Sequence, residues 1–397
     1  MRTWNNRKTQ LTLCVTIVSL AMGVTALAQP PDNAALLYYQ AFLLYEKPDG
    51  PTDEMLNQFR HGEIAATEAI QKHLEQNRRT IDTVVRATNI DKCDWGYDYA
   101  LGAELTMPNL ARIRQVAFLI ATDARWLAEQ GDDQMALDRC LTLRRMALHI
   151  CDKTLISYLV GIAIDALASG TTEDVLGSAP PDANTLNRFK SDLAQIAEQF
   201  PSSATCLAQE AEVCAATMTR DKMQTQIRLA REMGMDTADA KAMERLKQGD
   251  DAFFERNRKY YFSVIDKLTS VFKANLPYAR TCAALDDLAG QLDKQMRDDP
   301  DATLASLALA PATVKRIYQL AIRRQTHFNA IMTAIALYID QAKEGRLPAS
   351  LPAGTPPDLF SGKPFAYTKT AEGFILRCQG REDPDKDKVH EYEFKVQ

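Results

Sequence analysis

Asp383, Asp385 and Asp387 stand as D-x-D-x-D near the end of the chain. That spacing sets alternate carboxylates around a Ca²⁺ ion in loops of the EF-hand type. Lys388 occupies the place where such a loop needs glycine, and the twelfth position is Phe394 where the loop needs an acid. Arg381, Lys386 and Lys388 also offset the three carboxylates. A solvated charged loop is the expectation and calcium the alternative. A second carboxylate, Asp165, interrupts the apolar stretch Thr154–Gly170. A buried charge costs several kcal/mol unless paired, so Asp165 is expected in an ion pair with an arginine, the candidates being Arg112, Arg114, Arg125, Arg144 and Arg145. The other reading of Asp165 is a catalytic carboxylate, because functional sites collect such groups.

Other side chains with reactive chemistry lack the spacing that chemistry requires. His61, His73, His149, His327 and His390 form no H-E-x-x-H and no i, i+4 pair, which argues against a zinc hydrolase. There is no G-x-S-x-G, no phosphate-binding glycine loop and no G-x-G-x-x-G. The segment Cys93-Asp94-Trp95, with Asp91 and Asp98 nearby, is read as an aromatic plug at the end of a helical bundle, with a ligand-lining loop as the alternative. No catalytic residue and no cofactor other than calcium is expected.

The elements that position these residues begin with an export signal. Arg2, Arg7 and Lys8 precede an apolar run from Leu11 to Val24, and Ala26-Leu27-Ala28 follows. A positive start, a short apolar core and an A-x-A site predict a secretory signal peptide cleaved before Gln29, the alternative being a retained anchor. Removing its three positive charges takes the net charge from −5 to −8. An acidic balance of that size argues against nucleic acid as a partner. Seven of the eight cysteines remain after cleavage. An odd count leaves at least one thiol unpaired or bridging two chains. Cys206 and Cys214 lie about 12 Å apart on one helix, too far to join.

Gly and Pro number only 17 each in 397 residues, which favours long helices and short turns. Predicted helices cover about 33–46 with Asp32 as N-cap, 53–87 interrupted at Gly62, 108–130, 132–150, 154–176 and 184–200. Others cover 202–233, 251–274, 279–296 and 313–344. The stretch Thr154–Gly170 is apolar all round, and its uninterrupted run, Tyr158 to Ile164, is far short of the roughly 20 residues a bilayer requires. It is therefore expected to be the buried third member of an antiparallel core at 108–176, leaving no membrane span once the signal is removed. After Gly345, prolines at 348, 352, 356 and 357 exclude helix, and Phe365–Thr368, Phe374–Cys378 and Tyr392–Val396 read as strands. The fold expected is mostly α, a multi-helix bundle of antiparallel hairpins with a small C-terminal antiparallel sheet. Its segments are a signal peptide (1–28), a helical domain (29–345, with a boundary near 179–182) and a β-rich tail (346–397).

Two local resemblances add to this. Residues 124–147, with small residues at Ala124, Gly131 and Ala136, resemble one tetratricopeptide-repeat hairpin, without a second copy at 34 residues. Gly345-Arg346-Leu347-Pro348 followed by Pro357-Asp358-Leu359-Phe360-Ser361-Gly362-Lys363-Pro364-Phe365-Ala366-Tyr367 and Gly373-Phe374-Ile375-Leu376 resembles the C-terminal segment of type II secretion major pseudopilins. The likeness covers about residues 345–380; the N-terminus carries no prepilin cleavage site. The same tail behind a signal peptide and a helical body also resembles a class of exported bacterial proteins without assigned activity. The functional expectation is an exported, non-catalytic helical protein that binds or scaffolds a protein partner in the periplasm or cell envelope. Alternatives are a hydrolase-like enzyme built on dispersed acids and an accessory of a secretion or pilus-like assembly.

Overall fold

The computed structural model describes residues 31–178, 182–232, 240–296, 299–308, 311–383 and 386–396. The segment expected to be a signal peptide, its expected cleavage site at Ala28-Gln29, residues 179–181 of the expected boundary and Asp385 lie outside them. The chain is mostly helical, with a three-stranded antiparallel sheet at its C-terminal end.

The first helices are short. α1 (Ala34–Leu44) is capped by Asn33, whose side chain accepts from the Ala35 amide, one residue later than the Asp32 cap expected. Residues 53–87, expected as two pieces, form three: α2 (Gly50–Arg60), α3 (Glu68–Gln76) and α4 (Arg78–Thr88). The break between α3 and α4 falls at Asn77. Its buried side chain donates to the Glu46 and His73 carbonyls and accepts from the Glu46 amide, a local competitor that ends the helix there.

α5 (Asn109–Glu129), α6 (Asp133–Ile150) and α7 (Leu155–Ser178) pack on one another in sequence order. α7 runs eight residues beyond the apolar stretch that announced it. It is long and apolar enough to cross a membrane by length and composition. Here its faces rest on α5, α6 and the final helix, α15 (Pro311–Glu344). Gly161 lets α6 and α7 close together: a Cβ there would collide with Cys151 Sγ and lie 2.8 Å from the Ala147 carbonyl oxygen.

α8 (Ala183–Glu198) is capped by Asp182 and lies against α6 and α15. The long helix expected over 202–233 is broken. α9 (Ser203–Ala215) stops where the Thr217 and Met218 amides turn back to the Cys214 and Ala215 carbonyls, and α10 (Arg220–Glu232) restarts beyond. α11 (Ala240–Gln248), α12 (Asp251–Lys273), α13 (Tyr278–Met296) and α14 (Thr303–Ala308) complete a second cluster around Phe253, Phe254, Tyr261 and Leu268.

β1 (Ala366–Lys369), β2 (Gly373–Arg377) and β3 (Glu391–Lys395) pair in the order β1-β2-β3. Phe374, Leu376, Tyr392 and Phe394 face inward and share one core with Leu137, Leu193, Ile331 and Ile335 of the helices. The sheet is thus held by burial against α7 and α15, since three short strands have little stability alone.

Candidate functional site

Charged side chains meet α7 at two levels. In its middle, Asp165 faces α6 and α15. Arg144 Nη1 lies 2.8 Å from Asp165 Oδ1, and Arg324 Nη1 lies 3.4 Å from Oδ2. Arg144 Nη2 donates to the Ser169 hydroxyl at 3.0 Å, and that hydroxyl donates to the Asp165 carbonyl at 3.1 Å. Each guanidinium also lies over an aromatic ring, Arg144 over Phe328 at 5.1 Å and Arg324 over Phe200 at 3.9 Å. One carboxylate therefore ties three helices together, and its oxygens are occupied by protein donors. Asp123 and Arg139 make a second buried pair at 2.6 Å between α5 and α6.

One and a half turns towards the C-terminus, the outer side of α7 forms the floor of a cleft of about 360 Å³. Ala166, Gly170, Glu173 and Asp174 come from α7, Phe118 and Arg125 from α5, and Asn57 and Arg60 with the adjoining His61 from the end of α2. Gly62 follows with φ +74, and a side chain there would come within 3.0 Å of the Arg125 guanidinium. The positive φ ends α2 over Arg125 and fixes the height of the cleft wall.

Both acids of the cleft are already partnered. Asp174 Oδ2 lies 3.1 Å from Arg125 Nη1. Burial raises the Asp174 pKa, and the Arg125 charge opposes that rise. Glu173 Oε1 lies 2.8 Å from His327 Nε2, and the imidazole stacks on Tyr392 at 4.7 Å. His61 Nδ1 is 2.8 Å from the Asn57 carbonyl, an acceptor, so Nδ1 donates to it. Arg60 is different. It lies over the Phe118 ring at 4.9 Å and donates to the Asn57 side chain at 3.3 Å, and among the described residues no carboxylate is within ion-pair distance. Phe118 itself remains 39% exposed. The cleft thus offers one guanidinium without an ion-pair partner, with only the more distant Asp53 charge opposing it, beside an open aromatic face, a pairing suited to a carboxylate or carbonyl carried on an apolar stem.

The remaining positions singled out from the sequence are dispersed. Asp383 pairs with Lys386 at 3.2 Å and Asp387 with Arg381 at 3.1 Å, so the two described carboxylates of D-x-D-x-D each face a cation. Among the described residues no group of three His, Cys, Asp or Glu side chains is placed to hold a metal ion. In the Cys93–Trp95 segment, Trp95 is buried, stacks on Tyr38 and Phe42, and donates its indole N–H to the His149 carbonyl at 2.8 Å. The seven described cysteines are free thiols. Burial pushes Cys93, Cys140, Cys206 and Cys214 up to about 12, far from a nucleophilic thiolate at neutral pH.

Two further carboxylates organise the tail: Asp358, which lies within the pseudopilin-like run, and Glu382, which no sequence pattern marks. Asp358 is fully buried and accepts from the Phe360, Gln379 and Gly380 amides and the Ser361 hydroxyl at 2.7–2.9 Å. Glu382 accepts from Arg323 at 2.5 and 2.9 Å and lies 2.8 Å from His390 Nε2. Burial would raise the Glu382 pKa, but the His390 and Arg323 contacts outweigh it and hold the group at about 2. No protein-family model, curated protein or solved structure matches this chain.

Proposed function

We propose that the chain is an exported, non-catalytic helical protein that binds a protein partner of the cell envelope through the cleft beside α7. The partner presents an acidic or carbonyl-bearing side chain to Arg60 and an apolar surface to Phe118. One observation carries this reading: Arg60 has no ion-pair partner among the described residues, only the more distant charge of Asp53, while Glu173 and Asp174 are held by His327 and Arg125. A guanidinium without an ion-pair partner on an aromatic face favours an external anion; engaging both acids internally leaves little free acid or base for catalysis. Export rests on the sequence of residues 1–28.

Affinity purification of tagged protein from the cell envelope, with wild type and Arg60→Glu side by side, tests the reading. Partners retained by wild type and lost by the variant support it. An identical set from both removes the cleft from the account.

A hydrolytic activity is the second reading, favoured by the Glu173–His327 contact, which pairs a carboxylate with an imidazole at 2.8 Å beside the cleft. Turnover of peptide or ester substrates that disappears in both Glu173→Gln and His327→Ala would replace the binding reading with that one.

A further inference from the structure

Cys151 and Cys206 belong to different helices and meet at one turn of the chain. Cys151 closes α6, and its thiol donates to the Ala147 carbonyl at 3.1 Å. Cys206 lies near the start of α9, and its thiol donates to the Thr154 carbonyl at 3.9 Å. Thr154 is three residues beyond Cys151, on the turn that leads from α6 into α7. Thr154, Tyr158 and Gly161 follow at spacings of four and three, so they share one face at the start of α7. That face receives both thiols, Cys206 at Thr154 and Cys151 at Gly161, where a Cβ would collide with the sulfur. Between them sits one small buried cluster: it consists of Tyr158, Ile162, Ile317 and Cys206 itself, and Cys151 packs against it. Burial pushes the Cys151 thiol up, and Cys206 is the next cause, ahead of Arg324 and Asp165. The other five cysteines stand elsewhere. Cys140, Cys282 and Cys378 belong to the core shared with the sheet, Cys93 borders the cluster of Tyr38 and Ile81, and Cys214 donates to Glu210 at 3.5 Å.

We propose that Cys151 and Cys206 close the chain's one disulfide when it folds under oxidising conditions. The export reading supplies that condition in the cell, while the choice of partners stands on the shared turn alone. The oxidant is a small-molecule or protein disulfide. One cysteine thiolate attacks it, and the other displaces the oxidant from the mixed disulfide. Two S–H bonds of the chain give way to one S–S bond, and the oxidant departs as two thiols that carry the protons. Burial pushes Cys206 up to about 12, so the exchange belongs to folding, before α9 docks. The loop closed between 151 and 206 contains all of α7 and α8. Leu207, the next residue, belongs to the second cluster around Phe253 and Tyr261. The bond therefore staples that cluster to the end of α6 and restricts the unfolded chain over the same stretch.

The test uses residues 29–397, because each hydrophobic cluster among the described residues is built from position 34 onward. The chain is refolded from urea in mixed reduced and oxidised glutathione, and its thiols are counted in denaturant once the glutathione is removed. Wild type is expected to fall from seven thiols to five, with one cross-linked peptide joining 151 and 206. Cys206→Ser should lose the cross-link and Cys214→Ser should keep it. Dithiothreitol should lower the urea midpoint of oxidised wild type and leave that of Cys206→Ser unchanged. Seven thiols in wild type after oxidative refolding, or a bridge between any other pair, overturns the proposal. The peptide map of wild type gives that answer even where a variant fails to fold. Export is read separately, from the compartment in which the full chain is found, so a cytoplasmic chain removes the export reading while the refolded chain still decides the bridge.

Discussion

Asp165 Oδ1 stands 2.8 Å from Arg144 Nη1, with the two side chains 4% and 2% exposed. The pair explains how the most apolar helix of the chain carries a carboxylate. Asp165→Ala leaves Arg144 and Arg324 buried without their counter-charge and is expected to cost about 3–5 kcal/mol in urea unfolding. Replacing all three with apolar residues of similar volume should recover most of that loss, because removing a whole buried network also removes its desolvation penalty. A single variant that unfolds at the wild-type midpoint would show that the contact holds nothing.

Asp358 should govern whether the tail is ordered. Its side chain satisfies four donors within a segment that has no helix and only a small sheet. Asp358→Ala strands buried amides and is expected to cost about 3 kcal/mol or more, given roughly 1–3 kcal/mol for each orphaned group. Hydrogen exchange should show the loss concentrated in residues 358–380, with α5 and α6 little changed. Uniform loss of protection would mean that body and tail unfold as one unit.

Acid stability should show two separable windows. Glu382 is held at about 2 against an ordinary value of 4.5, so its stabilisation is complete above 4.5 and drains as pH falls towards 2. His149 is depressed from 6.5 to about 4, by burial first and then by the Arg145 charge. The unfolded chain then takes up that proton first, so stability falls between pH 6.5 and 4 and levels off below. Difference curves isolate each group: Glu382→Gln should flatten the lower window and His149→Asn the upper one. Slopes unchanged by these variants would contradict the assignments.

Element types could be read from the sequence wherever periodicity was long. The helices at 251–273 and 311–344 and the alternation Tyr392-x-Phe394 emerged with the right class. Boundaries failed where one side chain or turn decided them, as at Asn77 and at Thr217–Met218. Asp165 announced itself by polarity, and Arg144 lay on the preceding helix. Arg324 did not, because 159 residues separate it from Asp165 and no spacing rule spans that gap. The cleft was hidden for the same reason: Arg60, Phe118 and Glu173 lie on three helices and meet only after packing. The available hint was Arg60-His61-Gly62, a cation at a helix end sealed by glycine. Asp358 was visible within the run Asp358–Gly362, though two of its four donors come only with the return of Gln379 and Gly380.

Site-specific photocrosslinking in living cells tests the central claim most directly. A benzophenone amino acid at Phe118 places the reactive group on the open wall of the cleft; the same residue at Ile156 serves as a surface control. The binding account predicts a discrete adduct from position 118, none from 156, and loss of the position-118 adduct when Arg60→Glu is added. An adduct of equal yield with Arg60→Glu, or none from position 118 while the envelope partner still co-purifies, would contradict it.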